Sequence, residues 1–382
     1  MTSPWVPQSA LGDLLDQVAE GLGTPVPPPL RAALQAVPRH LFLPPVLWLR
    51  NEAGGYEPCR RDDDPDRWWR AAYQDVPLVT QFTELSDGAA VPSSSASMPS
   101  MVVRMLEDLD MQTGQRVLEI GTGTGFHAAL LCHLLGAGNV TSLDIDPELI
   151  RQAQRALKAS GQQPEVVCAD GADGWRPNAP YDRIIATCSV RTVPRAWLEQ
   201  LSPGGLLVTP WDTAWCNFGT LVARRHEDGT IEGALAPYGS FMLMRAQQVD
   251  VELRRDLLRD DQTPERSVTH LSPWSVAGND LDAQMHIGLR VPGVWHAWDT
   301  DVPEAHTRLW LADDRATSWA AVDYDGRRTS EFAVAQYGPR RLWDEVARVH
   351  EEFVSAGRPG VERQRLRICP EGTRTRHDVG LA

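Results

Sequence analysis

The sequence contains no Cys-x-x-C pair. Its six cysteines (Cys59, Cys132, Cys168, Cys188, Cys216 and Cys369) are scattered singly, which indicates neither a zinc site nor a disulfide frame. Those in apolar segments read as reduced core thiols. No apolar run approaches the roughly 20 residues that a membrane helix needs, and the N-terminus lacks a basic segment followed by an apolar stretch. A soluble, cytoplasmic protein with no membrane partner is expected. A basic excess is missing too: 37 Lys+Arg stand against 51 Asp+Glu, for a formal charge of −14. That balance argues against a nucleic-acid partner held through its phosphates. The acidic run Asp62–Asp64 has no histidine beside it, so it reads as solvated surface and no metal site is expected. Length and apolar content are sufficient, since 382 residues at 42% hydrophobic composition can fill two cores.

The most informative stretch is RVLEIGTGTGF, Arg116 to Phe126. An apolar run (Val117, Leu118, Ile120) carrying Glu119 leads to glycines 121, 123 and 125, and then to the apolar segment AALLCHLLGA. This is a buried strand, a tight glycine turn and a helix. Glycine supplies the positive φ that such a turn needs and lets a ligand approach the backbone. A dinucleotide fingerprint is G-x-G-x-x-G; here the spacing is G-x-G-x-G, with an acid ahead of it. A carboxylate at this place suits a cationic ligand better than a phosphate. The pattern resembles the nucleoside-methionine loop of S-adenosylmethionine (SAM) methyltransferases, in which the acid faces the methionine amino group. That resemblance implies cofactor contacts from Glu119, Gly121, Thr122, Gly123, Thr124 and Gly125.

Downstream, NVTSLDIDPELIRQAQRAL reads as a strand ending at Asp144 and a helix announced by Asp146-Pro147. An acid at the end of the second strand is where a ribose diol is held. Asp144, with Ile145 beside it, is assigned to the ribose and Asp146 to the helix cap, although either acid suits a cap. PEVVCADGADGW gives a third strand ending at Asp170-Gly171, where such enzymes hold the adenine amino group. YDRIIATCSV and LSPGGLLVTPW supply two more strands. The repeat implies an α/β fold, a Rossmann-like doubly wound and mostly parallel sheet, with ligand at the carboxyl ends of its strands. His127, just inside the helix, reads as a packing or capping residue.

Three segments are expected: a helical and loop cap over 1–74, the methyltransferase domain over 75–245, and a smaller C-terminal α+β domain over 246–382. In the cap, 10–22 and PLRAALQAV have helical spacing, and residues 51–70 read as an exposed loop that regains order at Trp68-Trp69. YQDVPLVTQF is a strand candidate, DGAAVPSSSASMPSM a low-complexity turn, and MVVRMLEDLDM a helix. FGTLVARRHEDGTIEGALAPYGSF reads as a hairpin around Asp228-Gly229, and VELRRDLLRDDQTPERS as a surface helix and linker. Beyond 267 lie the strand candidates GLRVPGVWHAW, RLWLADD and SWAAVDYDG and the amphipathic helix LWDEVARVHEEFVSAG. Trp295, Trp298, Trp310 and Trp319 fit core packing better than an aromatic binding face. The arginines of 358–376 fit an acidic-peptide contact or a solvated tail equally.

The combination of VPRHLFLPP (37–45), SSSASMP (93–99), MVVRMLEDL, RVLEIGTGTGF and DGADGWRPNAPYDRIIATCSVRTVPRAWLEQLSPGGLLVTPW resembles the protein-L-isoaspartate O-methyltransferases over roughly residues 30–211, and more weakly to about 235. In that family a Thr-Ile-Ser-x-Pro turn places its serine beside the substrate carboxylate. The match puts Ser95 on the threonine, Ala96 on the isoleucine, Ser97 on the serine and Pro99 on the proline. The resemblance therefore implies a substrate wall of Ser95, Ala96, Ser97 and Met98, with Ser97 as the catalytic residue. Alanine for isoleucine, and AVPSSS for a preceding Gly-x-Gly, make that wall smaller and more polar.

The implied reaction is methylation of an Asp or isoAsp carboxylate of a peptide or protein. A carboxylic acid with an ordinary pKa of about 3.9 is already ionised at neutral pH, so no general base is needed. Positioning and partial desolvation carry the rate. The resulting methyl ester lies within reach of the next backbone nitrogen and collapses to a succinimide or aspartimide. The C-terminal extension and the altered serine stretch resemble the actinobacterial branch associated with ribosomally made, modified peptides such as lanthipeptides and graspetides, which implies a cyclised precursor peptide as substrate. General isoaspartyl repair is the alternative. A non-catalytic module that keeps the fold is a third reading, disfavoured by the intact loop and acids.

Overall fold

Val117–Ile120 forms a strand buried at every residue, as strands of a two-sided parallel sheet are. Val140–Asp144 and Tyr181–Ala186 flank it in parallel. Glu165–Cys168 lies outside the first, and Leu201–Asp212 outside the second. Successive residues feed opposite cores: Val117 and Ile185 point to one face, Leu118 and Ile184 to the other. The expected Rossmann-like α/β sheet is present. The computed structural model describes residues 8–52, 54–84 and 90–382. Residues 1–7 of the expected cap and 87–89 of the expected serine-rich turn lie outside the described residues.

The helix Phe126–Leu135 is apolar on all sides and almost wholly buried, a pattern that requires cover on both faces. The N-terminal helices Gln8–Leu22 and Pro28–Ala36 help to supply it. Their Leu14, Leu15, Leu30 and Leu34 share one core with Phe126 and Leu130. Pro147–Ala159 is amphipathic instead, burying Leu149, Ile150, Ala153 and Leu157. Asp146 caps it as expected, accepting from the Glu148 amide at 2.8 Å and the Leu149 amide at 3.3 Å, with Pro147 in the first turn.

Two parts of the N-terminal region differ from expectation. The 51–70 loop contains the strand Tyr56–Arg60 and the helix Pro65–Ala72, which Asp64 caps through the Arg67 amide at 3.0 Å. The serine-rich turn is a strand, Ala90–Ala96, paired with Leu78–Glu84 in the register Leu78↔Ala96 and Val79↔Ser95. With Val46–Arg50, these strands make a four-stranded antiparallel sheet. The serine strand hides its period because Ser93, Ser94 and Ser95 follow one another, so no apolar alternation marks it.

The expected hairpin forms between Asn217–Arg225 and Ile231–Ala236 and extends the main sheet antiparallel. The final two strands of the chain correct the division at 246. Gln364–Glu371 pairs with Ile231–Ala236, and Arg374–Leu381 pairs with Gln364–Glu371, completing a nine-stranded sheet. The segment read as a tail or peptide contact is an integral edge, with Leu366 and Ile368 in the core.

Between these strands, a five-stranded antiparallel sheet runs in the order Glu265–Thr269, Phe332–Tyr337, Trp319–Tyr324, Thr307–Asp313, Val294–Asp299. Leu281–Arg290 and Leu342–Ser355 are its longer helices, so the α+β character is as expected. Of the surface helix and linker expected over 251–267, the helical part is one π-helical turn, Leu253–Leu257. Trp310 and Trp319 are buried against each other with ring centroids 5.6 Å apart, and Trp295 and Trp298 are half-buried. The unit is not separately cored: Trp215 donates to the Val276 carbonyl at 3.0 Å, and Val276, Met285 and Ile287 join the core of the main sheet.

Candidate active site

The carboxyl ends of the parallel strands open into a cavity of about 770 Å³. Its floor is the glycine turn. Gly121, Gly123 and Gly125 have φ of 97°, 51° and 85°, conformations in which a side chain would be strained. The Gly123 amide donates to Asp144 Oδ2 at 2.9 Å and the Asp146 amide to Asp144 Oδ1 at 3.0 Å. Both carboxylate oxygens are thereby oriented while keeping lone pairs free for further donors, as a diol requires. Burial raises the Asp144 pKa, opposed by these amides and by Arg245. Thr122, Thr124, Ile145, Asp170 and Gly171 also reach the cavity. Asp170 caps a short 3-10 turn through the Ala172 amide at 2.9 Å.

Two expected cofactor residues do not line it. Glu119 is 0% exposed; one oxygen lies 2.6 Å from His127 Nδ1 and the other accepts from the Ser142 hydroxyl. Its strand position turns the side chain into the core face shared with Val117, so it supports the turn from below. Gly125 is a packing glycine, because a Cβ there would stand 3.1 Å from Ala153 Cβ on the helix Pro147–Ala159. His127 reaches the wall instead, and its Nε2 is buried with no partner among the described residues.

The serine strand crosses above. A Cβ on Gly123 would lie 3.9 Å from Ser94 Oγ and from the Ser95 carbonyl, which brings the expected substrate wall onto the expected cofactor loop. Ser95, Ala96, Ser97 and Met98 all line the cavity. Among the described residues nothing hydrogen-bonds to Ser97 Oγ, whereas Thr80 donates to Ser94 Oγ at 3.3 Å. Ser93 donates to Gln81 Oε1 at 2.9 Å, and Gln81 Nε2 donates to Asp146 Oδ2 at 3.0 Å. One glutamine thus ties the serine strand to the cap of the helix Pro147–Ala159.

A further wall was not foreseen: Ser240–Ala246, SFMLMRA. Its backbone is fixed by Ser189, whose amide donates to the Met242 carbonyl at 2.9 Å and whose carbonyl accepts from the Met244 amide at 2.9 Å. The only signal is an apolar run just past a hairpin, and a single isolated bridge to Ser189 leaves no periodic trace. Met98, Met101, Met242 and Met244 make half of the chain's eight methionines cavity-lining. Cys188 also lines it, but burial pushes its thiol up to about 12, so it stays protonated and a poor nucleophile.

The cavity fits an adenosyl-amino-acid cofactor. Asp144 offers oriented acceptors, His127 Nε2 has no partner among the described residues, and Gly121, Thr122 and Gly123 bring the backbone to the cavity wall.

Residues 60–237 match the family described as Protein-L-isoaspartate(D-aspartate) O-methyltransferase. Protein-L-isoaspartate O-methyltransferase 1 of Archaeoglobus fulgidus is 38% identical over 180 residues, spanning 47% of this chain and 69% of its own. The protein of that name from Methanococcus maripaludis is 35% identical over 201 residues, spanning 52% and 79%. A solved protein-L-isoaspartate O-methyltransferase aligns over 96% of this chain and 99% of its own, with TM-score 0.54 and 19% identity. That likeness is one of fold, and it runs through the C-terminal unit.

Proposed function

Because the chain belongs to the protein-L-isoaspartate O-methyltransferase family, we propose that this SAM-dependent methyltransferase esterifies the free carboxylate of isoaspartyl residues in peptides of varied sequence. Bound SAM supplies an activated methyl group on a sulfonium. The chain's own work is binding and orientation: Asp144 holds the ribose, Asp170 and Gly171 the adenine, and the His127 end of the turn the amino-acid portion. Ser97 donates a hydrogen bond to the substrate carboxylate and aims one oxygen. No side chain need move a proton, since the acceptor is already ionised.

The observation that carries the reading is the Ser97 hydroxyl, without a hydrogen-bond partner among the described residues, in the same cavity as the glycine turn. The methionine walls support breadth of sequence, because thioether side chains adapt to different neighbours. The likeness of fold through the C-terminal unit removes that unit as a reason to require an unusual substrate. A second reading, a dedicated cyclised precursor peptide carrying Asp, is favoured by the smaller and more polar wall at Ala96 and Ser93–Ser95.

Mass spectrometry after incubation with SAM tests both. Short isoaspartyl peptides differing at the flanking residues should all gain a methyl group and then lose methanol. Modification of a cyclised Asp precursor alone, with the isoaspartyl panel untouched, would reject the proposal in favour of the second reading.

A further inference from the structure

Arg39, in VPRHLFLPP, belongs to the family resemblance but does not itself line the cavity. It is 1% exposed and opens the short 3-10 turn Arg39–Phe42. Among the described residues no carboxylate lies within ion-pair distance of its guanidinium. Main-chain carbonyls surround it instead. Nη1 donates to the Gln74 carbonyl at 2.9 Å, and Nη2 to the Val76 and Ser97 carbonyls, each at 3.0 Å. Longer contacts run to Ala72 at 3.4 Å and Ala96 at 3.5 Å. Of these acceptors, Gln74, Val76, Ala96 and Ser97 line the cavity.

Burying a cation without a counter-ion is costly, and burial pulls this guanidinium down to about 10 against the influence of Asp75. An apolar residue would fill the space at less cost, but only a rigid fork of donors can hold several carbonyls from separate segments in one plane. The neighbouring Asp75 acts from the other side. Its carboxylate accepts from the Ser100 amide at 2.7 Å, capping the helix Pro99–Asp108, which has no side-chain cap of its own at Met98. Ser97 is therefore bracketed, its carbonyl held by Arg39 and the helix start three residues on held by Asp75.

We propose that Arg39 is the positioning residue of the substrate wall: by gripping the Ser97 carbonyl together with those of Gln74 and Val76, it sets where the Ser97 hydroxyl meets the substrate carboxylate. This rests on the reading of Ser97 as the substrate-facing donor. Lysine at this position keeps the charge, but its compact ammonium on a flexible stem does not span the separate carbonyls that the planar fork reaches, so the hydroxyl is presented in several places rather than one.

The test is a double-mutant cycle on the full-length protein, using Arg39→Lys, Ser97→Ala and the pair, with an isoaspartyl peptide at saturating SAM and cofactor affinity measured by calorimetry. Arg39→Lys alone should lower kcat/KM by about tenfold or more while the SAM Kd stays within about twofold. In the Ser97→Ala background the same change should cost less than about threefold, since the hydroxyl it positions is gone. An equal factor in both backgrounds overturns the proposal, as does a SAM Kd that weakens in step with kcat/KM. If Arg39→Lys does not fold, Asp75→Ala opens the bracket from its other end and should show the same dependence on Ser97, with the same two outcomes against it. A Ser97→Ala enzyme of normal activity rejects the Ser97 reading and the positioning together. An impaired Ser97→Ala with an additive second change rejects the positioning alone.

Discussion

Glu119 and His127 lock each other in place: a fully buried carboxylate oxygen stands 2.6 Å from the imidazole Nδ1 across the turn between strand and helix. Ser142 on the adjacent strand engages the other oxygen. The acid of the glycine motif thus braces the loop and leaves the cavity wall to the imidazole. Glu119→Gln replaces one acceptor with an NH2 group facing a donor, so stability should fall by about 1–3 kcal/mol, read as a shift in the urea midpoint. Lost SAM binding with an unchanged midpoint would return Glu119 to direct cofactor contact.

Asp144 is predicted to be the residue on which cofactor affinity most depends. Two backbone amides already hold its oxygens, so the asparagine variant loses both the charge and one acceptor. A hydrogen bond to a charged group is worth about 1.5–3 kcal/mol; Asp144→Asn should weaken SAM binding about tenfold to a hundredfold by calorimetry. A change below twofold would move the ribose elsewhere.

Ser97→Ala removes a hydroxyl that has no internal partner among the described residues. Stability should therefore change by less than about 0.5 kcal/mol, while kcat/KM for an isoaspartyl peptide falls about tenfold to a hundredfold. Parallel loss of SAM affinity would mean that the segment holds cofactor or fold.

Acid should destabilise the fold through buried histidines. Burial lowers His40, His286 and His377 from 6.5 to about 4. Between these values the unfolded chain binds protons that the folded chain does not. Stability is therefore full above pH 6.5 and is lost as pH falls toward 4. Urea midpoints at pH 7.5, 5.5 and 4.5 should fall in that order, and a flat profile would contradict the assignment.

Truncation after residue 250 should give an insoluble or unfolded product. It removes the strands Gln364–Glu371 and Arg374–Leu381, baring Ile231–Ala236 as an open edge, and it strips Val276, Met285 and Ile287 from a shared core. A soluble truncation with intact SAM binding would show that the main sheet stands without them.

The local signals were sufficient for much of this protein. The apolar strand, three glycines and following helix of 116–135, and the acids closing the next two strands, are all short-range. Each is dictated by neighbours within a few residues: positive φ at a turn, a cap before a proline, a run buried on two faces. The hairpin at Asp228-Gly229 and the helix 342–355 were legible for the same reason. Only tertiary structure decided the rest. It turned Glu119 inward, made a strand of the serine segment, laid Ser240–Ala246 across the cavity and returned residues 364–381 to the main sheet. It also gathered the carbonyls of Ala72, Gln74, Val76, Ala96 and Ser97 around Arg39. Apart from Glu119, whose nearer partner His127 is eight residues on, these features depend on partners tens or hundreds of residues away. A strand of consecutive serines, an edge strand paired across an inserted domain and a buried cation solvated by backbone leave no periodic mark in the chain that builds them.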